Sequence, residues 1–515
     1  MKKLLKVLAL LLAVMMVLPM LAACGKKEET PANAGTAAAP EYKDTLTVAL
    51  KAEPDTLDPQ GTSQVVAFAV QMNIFDTLVR RNEKGEVIPW LADSWERLDN
   101  LSVKFHIRDN AKWSDGTDVT AEDVKFSIAR ASVNPTSTGT MGTFDGDNTE
   151  VVDNKTVIVR TKTEFSSFFN YLACSRGSIV CKAAMEAMGE AEYGRKPVSS
   201  GFMKVDSWET GTKLVCSKNE YFWGEPASYD NLVFRFITET ASRAIELEAG
   251  TVDLIYEPGT SDCSRLKDDP GFTLYASEGY TMQQVLFNLS DPVMDNVNLR
   301  KALCHALDIN AIAKAIYGDY ATPANGQFAN PISNFLDTGV YEYNVDLAKQ
   351  ALKDAGYENG VELSVLINQS QDNNDLAVMC KDYWSKIGVT ANIQTVASSE
   401  WVAAMRRGEA QIGPSMGTIT TGDPGHALNM FNIIPNQMCH PKDEHANELL
   451  AKAKATFDDA ERDKVYKELQ QYLFETYQQI PIATKKTLYL ASAKVEGFWC
   501  DPSGTPWFGA LKVQK

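Results

Sequence analysis

VLFNLSDPVMDNVNLRKALCHALDINAIAKAIYG, residues 285–318, is the stretch on which the fold turns. Residues 285–289 read as a strand. From about 298 to 317 the period becomes helical, with Leu299, Leu303, Leu307 and then Ile312 or Ile316 returning to one face. A strand that leads into an amphipathic helix opens a βα unit. The alternation continues downstream. Asp346 caps a short helix that Gly356 stops, 361–367 is a strand, and 376–387 is a helix closed by Gly388. Strand 391–396 follows, then a helix with Trp401, Val402 and Met405 on one face that Gly408 ends. A helical pair opens at Leu449 and reaches Tyr477, and 482–490 is again a strand.

Upstream the chain is strand-rich. Residues 102–108, 156–160 and 232–237 alternate with period two. Thr120, with Asp123 three residues on, is a capping-box start for a helix carrying Val124 and Ile128 on one face. The simplest topology sends the chain into a second lobe near 289 and back near 482. Two crossings make a hinge, and the groove between the lobes is a natural ligand site.

The N-terminus is of a different kind. Lys2, Lys3 and Lys6 precede an almost wholly apolar run, which ends in Leu21-Ala22-Ala23-Cys24. Basic residues, an apolar stretch and small residues before a cysteine read as a secretory signal segment, 1–23. The run is at the short limit of the roughly 17–25 residues a spanning helix needs, and Pro19 interrupts it. The Leu-Ala-Ala-Cys ending resembles a bacterial lipobox. It implies that Cys24 is lipidated and that the rest works outside the cytoplasm, on the outer face of a membrane. Residues 25–44, GKKEETPANAGTAAAPEYKD, have almost nothing to bury and read as a flexible tether.

Roughly 470 residues of body exceed what one core holds, so at least two lobes are expected. Formal charge is −17, and the signal segment takes three lysines and no acid with it, leaving −20. Phosphate binding needs clustered Lys and Arg, so nucleic acid is excluded as a partner. Eight further cysteines, Cys174, Cys181, Cys216, Cys263, Cys304, Cys380, Cys439 and Cys500, show no Cys-x-x-Cys spacing. They read mostly as buried thiols, with Cys174–Cys181 as a candidate local bridge.

Several segments then resemble the peptide/nickel family (family 5) of extracellular solute-binding proteins, which feed ABC importers. They are LTVALKAEPDTLDP at 46–59, FDTLVRRNEKGEVIPWLADSWERLDN at 75–100 and KWSDGTDVTAEDVKFSIARA at 112–131. VFRFITETASRAIELEAGTVDLI at 233–255, the stretch at 285–318 and PIATKKTLYLA at 481–491 complete the set, in the family's order. The resemblance implies an α/β, two-lobed periplasmic-binding-protein-like fold with a hinge and an inserted β-rich subdomain. Lobe I would comprise 41–58, 195–288 and 483–515, the insertion 59–194, and lobe II 289–482. The implied partners are ABC permease subunits and a small-molecule or peptide ligand, with the protein a monomer held to the membrane by its lipid. No cofactor or resident metal is expected. Pro89, Trp90, Leu91 and Trp95 read as packing and turn residues, and Arg300 and Asp308 as holding helix termini or lobe contacts.

In peptide-binding members an acid in a Trp-x-x-Asp-x-x-acid-Pro loop pairs with the peptide's α-ammonium. The matching stretch here is Gly417 to Pro424. It keeps Asp423-Pro424 but places Gly417 at the tryptophan position and Thr420 at the ammonium-binding position. Ordinary α-amine recognition is therefore in doubt. Thr418, Thr420 and Thr421 offer neutral hydroxyls instead. Asp423 is either a contact or a turn residue. Ser63, Phe144, Tyr280, Gln283 and Trp401 are further contact candidates, Trp401 equally a core residue of its helix.

A non-peptide solute, either a neutral polar molecule or a nickel or metal chelate, is the alternative ligand. His426, Cys439, His440 and His445 motivate the chelate, but their spacing fits no ligand motif. A surface sensor or chaperone-like binder is the rival class. No His-Glu-x-x-His, Gly-x-Ser-x-Gly or phosphate-cradling motif is present, so the chain does not read as an enzyme.

Overall fold

The computed structural model describes residues 41–429 and 443–515. The expectations for the signal segment, Cys24, most of the tether, Cys439 and His440 fall outside these. Two long antiparallel strands, Phe272–Phe287 and Gln479–Ser492, form the spine. At one end Leu254–Tyr256 pairs with Gln479–Ser492 through Tyr256↔Tyr489. Thr45–Leu50, Asn231–Phe236, Lys213–Lys218 and Met203–Glu209 continue the sheet outward. At the other end Ile412–Thr418 lies antiparallel to Phe272–Phe287, and Val361–Asn368 and Val389–Val396 extend it.

Separate apolar cores gather at the two ends of the spine. Leu46, Val48, Leu232, Phe234 and Tyr489 belong to one, which continues into the insertion through Phe105, Val159 and Phe168. Val285, Leu303, Val365, Trp384 and Ile480 build the second, and Trp401, Leu450 and Leu469 a smaller neighbour. Each fully buried large apolar side chain contributes about 1.5–3 kcal/mol relative to exposure. Pairing between the spine strands slips between Glu278 and Thr281. The chain thus passes from one core to the other within continuous strands, around 278–281 and 484–488.

The second end is the expected α/β layer. Val361–Asn368, helix Gln371–Ser385 and Val389–Val396 form a βαβ unit in parallel register. The stretch 285–318 departs from one long helix. It forms Val297–His305 and Ile309–Tyr317, because Asp308 accepts from the Ala311 amide at 3.0 Å and caps a second start. Arg300, buried, donates to the carbonyls of Met294, Asp295, Thr476 and Tyr477. Asn344, rather than Asp346, caps helix Val345–Asp354, accepting from Leu347 N at 3.0 Å.

The insertion is a four-stranded antiparallel sheet in the order Ala92–Arg97, Ser102–Ile107, Thr156–Thr161, Phe144–Val151. Helix Ala121–Val133 packs on it with its capping box formed, the Thr120 amide donating to Asp123 Oδ2 at 2.9 Å. A β-carbon at Gly146 would lie 2.1 Å from Ala129 Cα, so only glycine allows this approach of strand and helix. The candidate Cys174–Cys181 bridge is not formed. Both cysteines are free and buried, as are Cys216, Cys263, Cys304 and Cys380.

Candidate functional site

A cleft of about 430 Å³ opens over the middle of the spine. Its first wall carries Lys51, Val65, Glu257, Thr260 and Ser503, from the side of the first core. Thr281, Asp372, Met416 and Thr418 come from the other side. Lys485, Lys486 and Thr487 lie on the crossing strand itself. Five charged side chains therefore meet in one hollow, drawn from segments more than 400 residues apart in the chain.

Lys51 pairs with Glu257 on the first wall, and Lys485 Nζ lies 3.3 Å from Asp372 Oδ2 on the second. These side chains keep 46% and 37%, and 27% and 28%, of their surface, so a solute can reach them. Burial pushes the Glu257 carboxyl up, but Lys51, Lys485 and the Tyr256 hydroxyl outweigh it and hold the group below the ordinary carboxylate range. Lys485 also sits 5.5 Å from the centre of the Tyr317 ring.

Beside the cleft the loop after Ile412–Thr418 is clamped to the insertion. The Arg81 guanidinium donates to the carbonyls of Thr420 at 2.5 Å and Thr421 at 3.1 Å, and lies 3.4 Å from Asp501. Tyr280 bonds this loop through its carbonyl, which accepts from the Ile419 amide at 3.1 Å. Gly422 has φ +63, and a β-carbon there would lie 2.8 Å from the Tyr280 ring. Asp423 accepts from the Ser167 hydroxyl, from Tyr171 at 3.2 Å and from the His426 amide at 2.9 Å, which starts helix Pro424–Leu428. Burial pushes its carboxyl up. Burial also drives His426 down to about 3, with Arg176 and Lys454 adding to the effect, so the imidazole is neutral.

Of the residues expected from sequence, Thr418 lines the cleft, its hydroxyl 2.7 Å from that of Thr281. Ser63 is exposed, two residues before Val65, which does line it. Phe144 is corrected: it is fully buried and packs edge-on against Phe165 and Phe168 in the insertion's core. Gln283 is fully buried and spent, donating to Asn373 at 2.8 Å and accepting from Tyr317 at 3.0 Å. Trp401 is a core residue of its helix, its indole donating to the Leu366 carbonyl at 2.8 Å. Tyr280 is buried at the bulge of the spine. Thr420 is half-buried and outside the cleft lining, and Asp423 is consumed by protein partners. Lys51, Glu257, Asp372 and Lys485 were missed, because no local motif links residues so far apart in sequence.

A two-lobed α/β scaffold with a cleft across its crossing strands is the architecture of a periplasmic binding protein. Residues 86–438 match the bacterial extracellular solute-binding proteins, family 5 (middle), and the chain belongs to that family. It is 25% identical over 473 residues to the glutathione-binding protein of Escherichia coli O1:K1, spanning 89% of this chain and 92% of the relative. It is 28% identical over 481 residues to heme-binding protein A of Haemophilus influenzae, spanning 86% and 88%. The ABC-transporter-associated periplasmic binding protein of Helicobacter pylori, solved with the peptide STSA, shares the fold. Its TM-score is 0.81 at 23% identity, over 92% of this chain and 99% of that one.

Proposed function

We propose that this protein captures a peptide-like solute between two lobes and hands it to the permease of an ABC importer. The cleft carries this reading, since its walls come from both ends of the spine and a solute touching both favours the closed arrangement. Lobe I is drawn from 41–58, 195–288 and 483–515, the insertion from 59–194 and lobe II from 289–482. The distinct cores at the two ends of the spine support two lobes, with the crossings around 278–281 and 484–488 rather than at 289 and 482, since Val285 and Phe287 already pack in the second core. The protein works as a monomeric binder rather than a catalyst, outside the cytoplasm, anchored through a lipid on Cys24; the Leu-Ala-Ala-Cys ending supports the anchor. Thr418 and the charged cleft residues are its ligand contacts.

A non-peptide solute is the second reading, favoured by a relative named for heme. Native mass spectrometry of gently purified protein separates the two. A retained mass that fragments as amino acids supports the peptide reading, and a chelate, porphyrin or neutral polar mass replaces it.

A further inference from the structure

The insertion grips the second end of the spine beside the cleft but outside its lining. Its core is continuous with that of the first end, Phe105, Val159 and Phe168 sharing one cluster with Leu46 and Phe234, so the two form one packed body. Across a seam stand Asp423, Lys454 and the helices that pack through Leu428, Leu450 and Leu469. The Asp423 carboxylate is almost wholly buried. Among the described residues its donors are the Ser167 hydroxyl and the Tyr171 hydroxyl at 3.2 Å, both from the insertion, and the His426 amide of its own helix. The Ser166 amide donates across the seam to the Lys454 carbonyl at 2.9 Å, and Arg81 donates to the carbonyls of Thr420 and Thr421. The seam is not packed solid. A cavity of about 210 Å³ lies on it, with Trp95, Ser166 and Asn170 on one side, Ser333, Asn334 and Arg462 on the other, and Asp423 facing it. Polar, loosely filled faces between parts of a chain separate readily, whereas apolar cores do not.

We infer that this seam is a clasp that holds the cleft shut, with Asp423 as its positioning residue and the Ser167 and Tyr171 hydroxyls as the groups that grip it. The clasp rests on the two-lobe closure proposed above and adds a second contact to it, made by the insertion rather than by the solute. The clasped loop follows strand Ile412–Thr418, whose Met416 and Thr418 line the cleft, so releasing the loop frees that wall. Parting the seam lets water reach the Asp423 carboxylate, and closing it replaces that water with two hydroxyl donors. Hydrogen bonds to a charged acceptor are the stronger kind. Each bond across the seam is still a modest net gain, so the clasp stays reversible and holds a share of the empty protein closed. Removing the two hydroxyls leaves the carboxylate short of donors in the closed form alone, because water supplies them in the open one.

Double electron–electron resonance between nitroxides at Ser207→Cys and Lys349→Cys tests the clasp. Both positions are exposed, one on strand Met203–Glu209 of the first body and the other on helix Val345–Asp354 of the second. The protein is first stripped of small molecules in guanidinium and refolded, each variant is shown to melt cooperatively, and protein without the two new cysteines gives the background label. Otherwise unaltered protein is expected to show a long and a short distance. Ser167→Ala with Tyr171→Phe should lower the ratio of short to long by about fivefold or more. Adding Asp423→Asn, which removes the stranded charge and keeps a good helix cap, should raise that ratio again by about twofold or more. A single long distance without the hydroxyl changes, or two distances whose ratio those changes leave alone, overturns the clasp while closure driven by solute stands. A loss of the short distance that Asp423→Asn does not recover removes Asp423 as its centre. A single short distance in every sample overturns the clasp and lobe closure together.

Discussion

Arg81 donates to the main-chain carbonyl of Thr420 at 2.5 Å, joining a strand that packs with the first core to a loop at the second. The same guanidinium reaches Thr421, Asn170 and Asp501, and both charged side chains are almost wholly buried. A planar fork with five donors suits this task, and a lysine ammonium does not.

Arg81→Met should therefore destabilise the protein by about 3–5 kcal/mol, because it removes the guanidinium directly paired with the buried Asp501 carboxylate and leaves only Arg80 nearby. Ser503 and Thr505 remain as its donors. Arg81→Lys should recover little, and Arg81→Met with Asp501→Asn should lose less than the sum of the two single changes. Urea unfolding measures all four. A loss under about 1 kcal/mol for Arg81→Met would reduce the contact to an ordinary surface pair.

His426 sets a pH dependence whose sign is fixed. Its folded-state pKa of about 3 lies below the unfolded 6.5, so the unfolded chain takes up the proton first. Stability that is whole above pH 6.5 is lost as pH falls toward 3, by at most about 1.4 kcal/mol per pH unit. Asp423, raised by burial, opposes this, since its stabilising protonation arrives as the pH falls. The comparison is thus between wild type and His426→Gln. Denaturant midpoints from pH 7 to 4 should fall less steeply in the variant, and parallel slopes would remove His426 as the source.

Gly422→Ala places a β-carbon in left-handed backbone against the Tyr280 ring. The backbone alone costs about 1–2 kcal/mol, and the contact adds to it. Thermal melts should show the loss, while Gly211→Ala, also at positive φ but with open space around it, should lose only the backbone share. Equal losses at the two positions would mean the Tyr280 contact carries no energy.

Cys24→Ser should release the protein from membranes without changing its melting behaviour, because one acyl chain gives only marginal membrane binding and two are needed for a stable anchor. Membrane fractionation checks it, and wild-type retention of the variant would contradict lipid anchoring.

What was legible in the sequence was local. The Thr120–Asp123 cap and the βαβ unit ending at Val396 are written in short spacings, and both formed. The break at Asp308 was hidden because Leu307 keeps the helical period, although Asp308 itself is an N-cap residue. The passage of the spine inside Phe272–Phe287 was hidden because Glu278, Gly279 and Thr281 interrupt any apolar alternation. The cleft was the least legible part. Lys51, Glu257, Asp372 and Lys485 become neighbours only through the two crossing strands, and the partners that decide between the two readings of Asp423 and of Trp401, Ser167 and the Leu366 carbonyl, lie far from them in the chain.

Small-angle scattering reads out whether the two lobes close on a solute. The radius of gyration of the protein as purified would be compared with protein stripped in guanidinium, refolded, and then given back its own heat-extracted small-molecule fraction. Closure on a solute gives a smaller radius as purified, a larger one after stripping, and return to the smaller value on add-back. An unchanged radius across all three, with the retained small molecule verified by mass, would contradict closure on a solute.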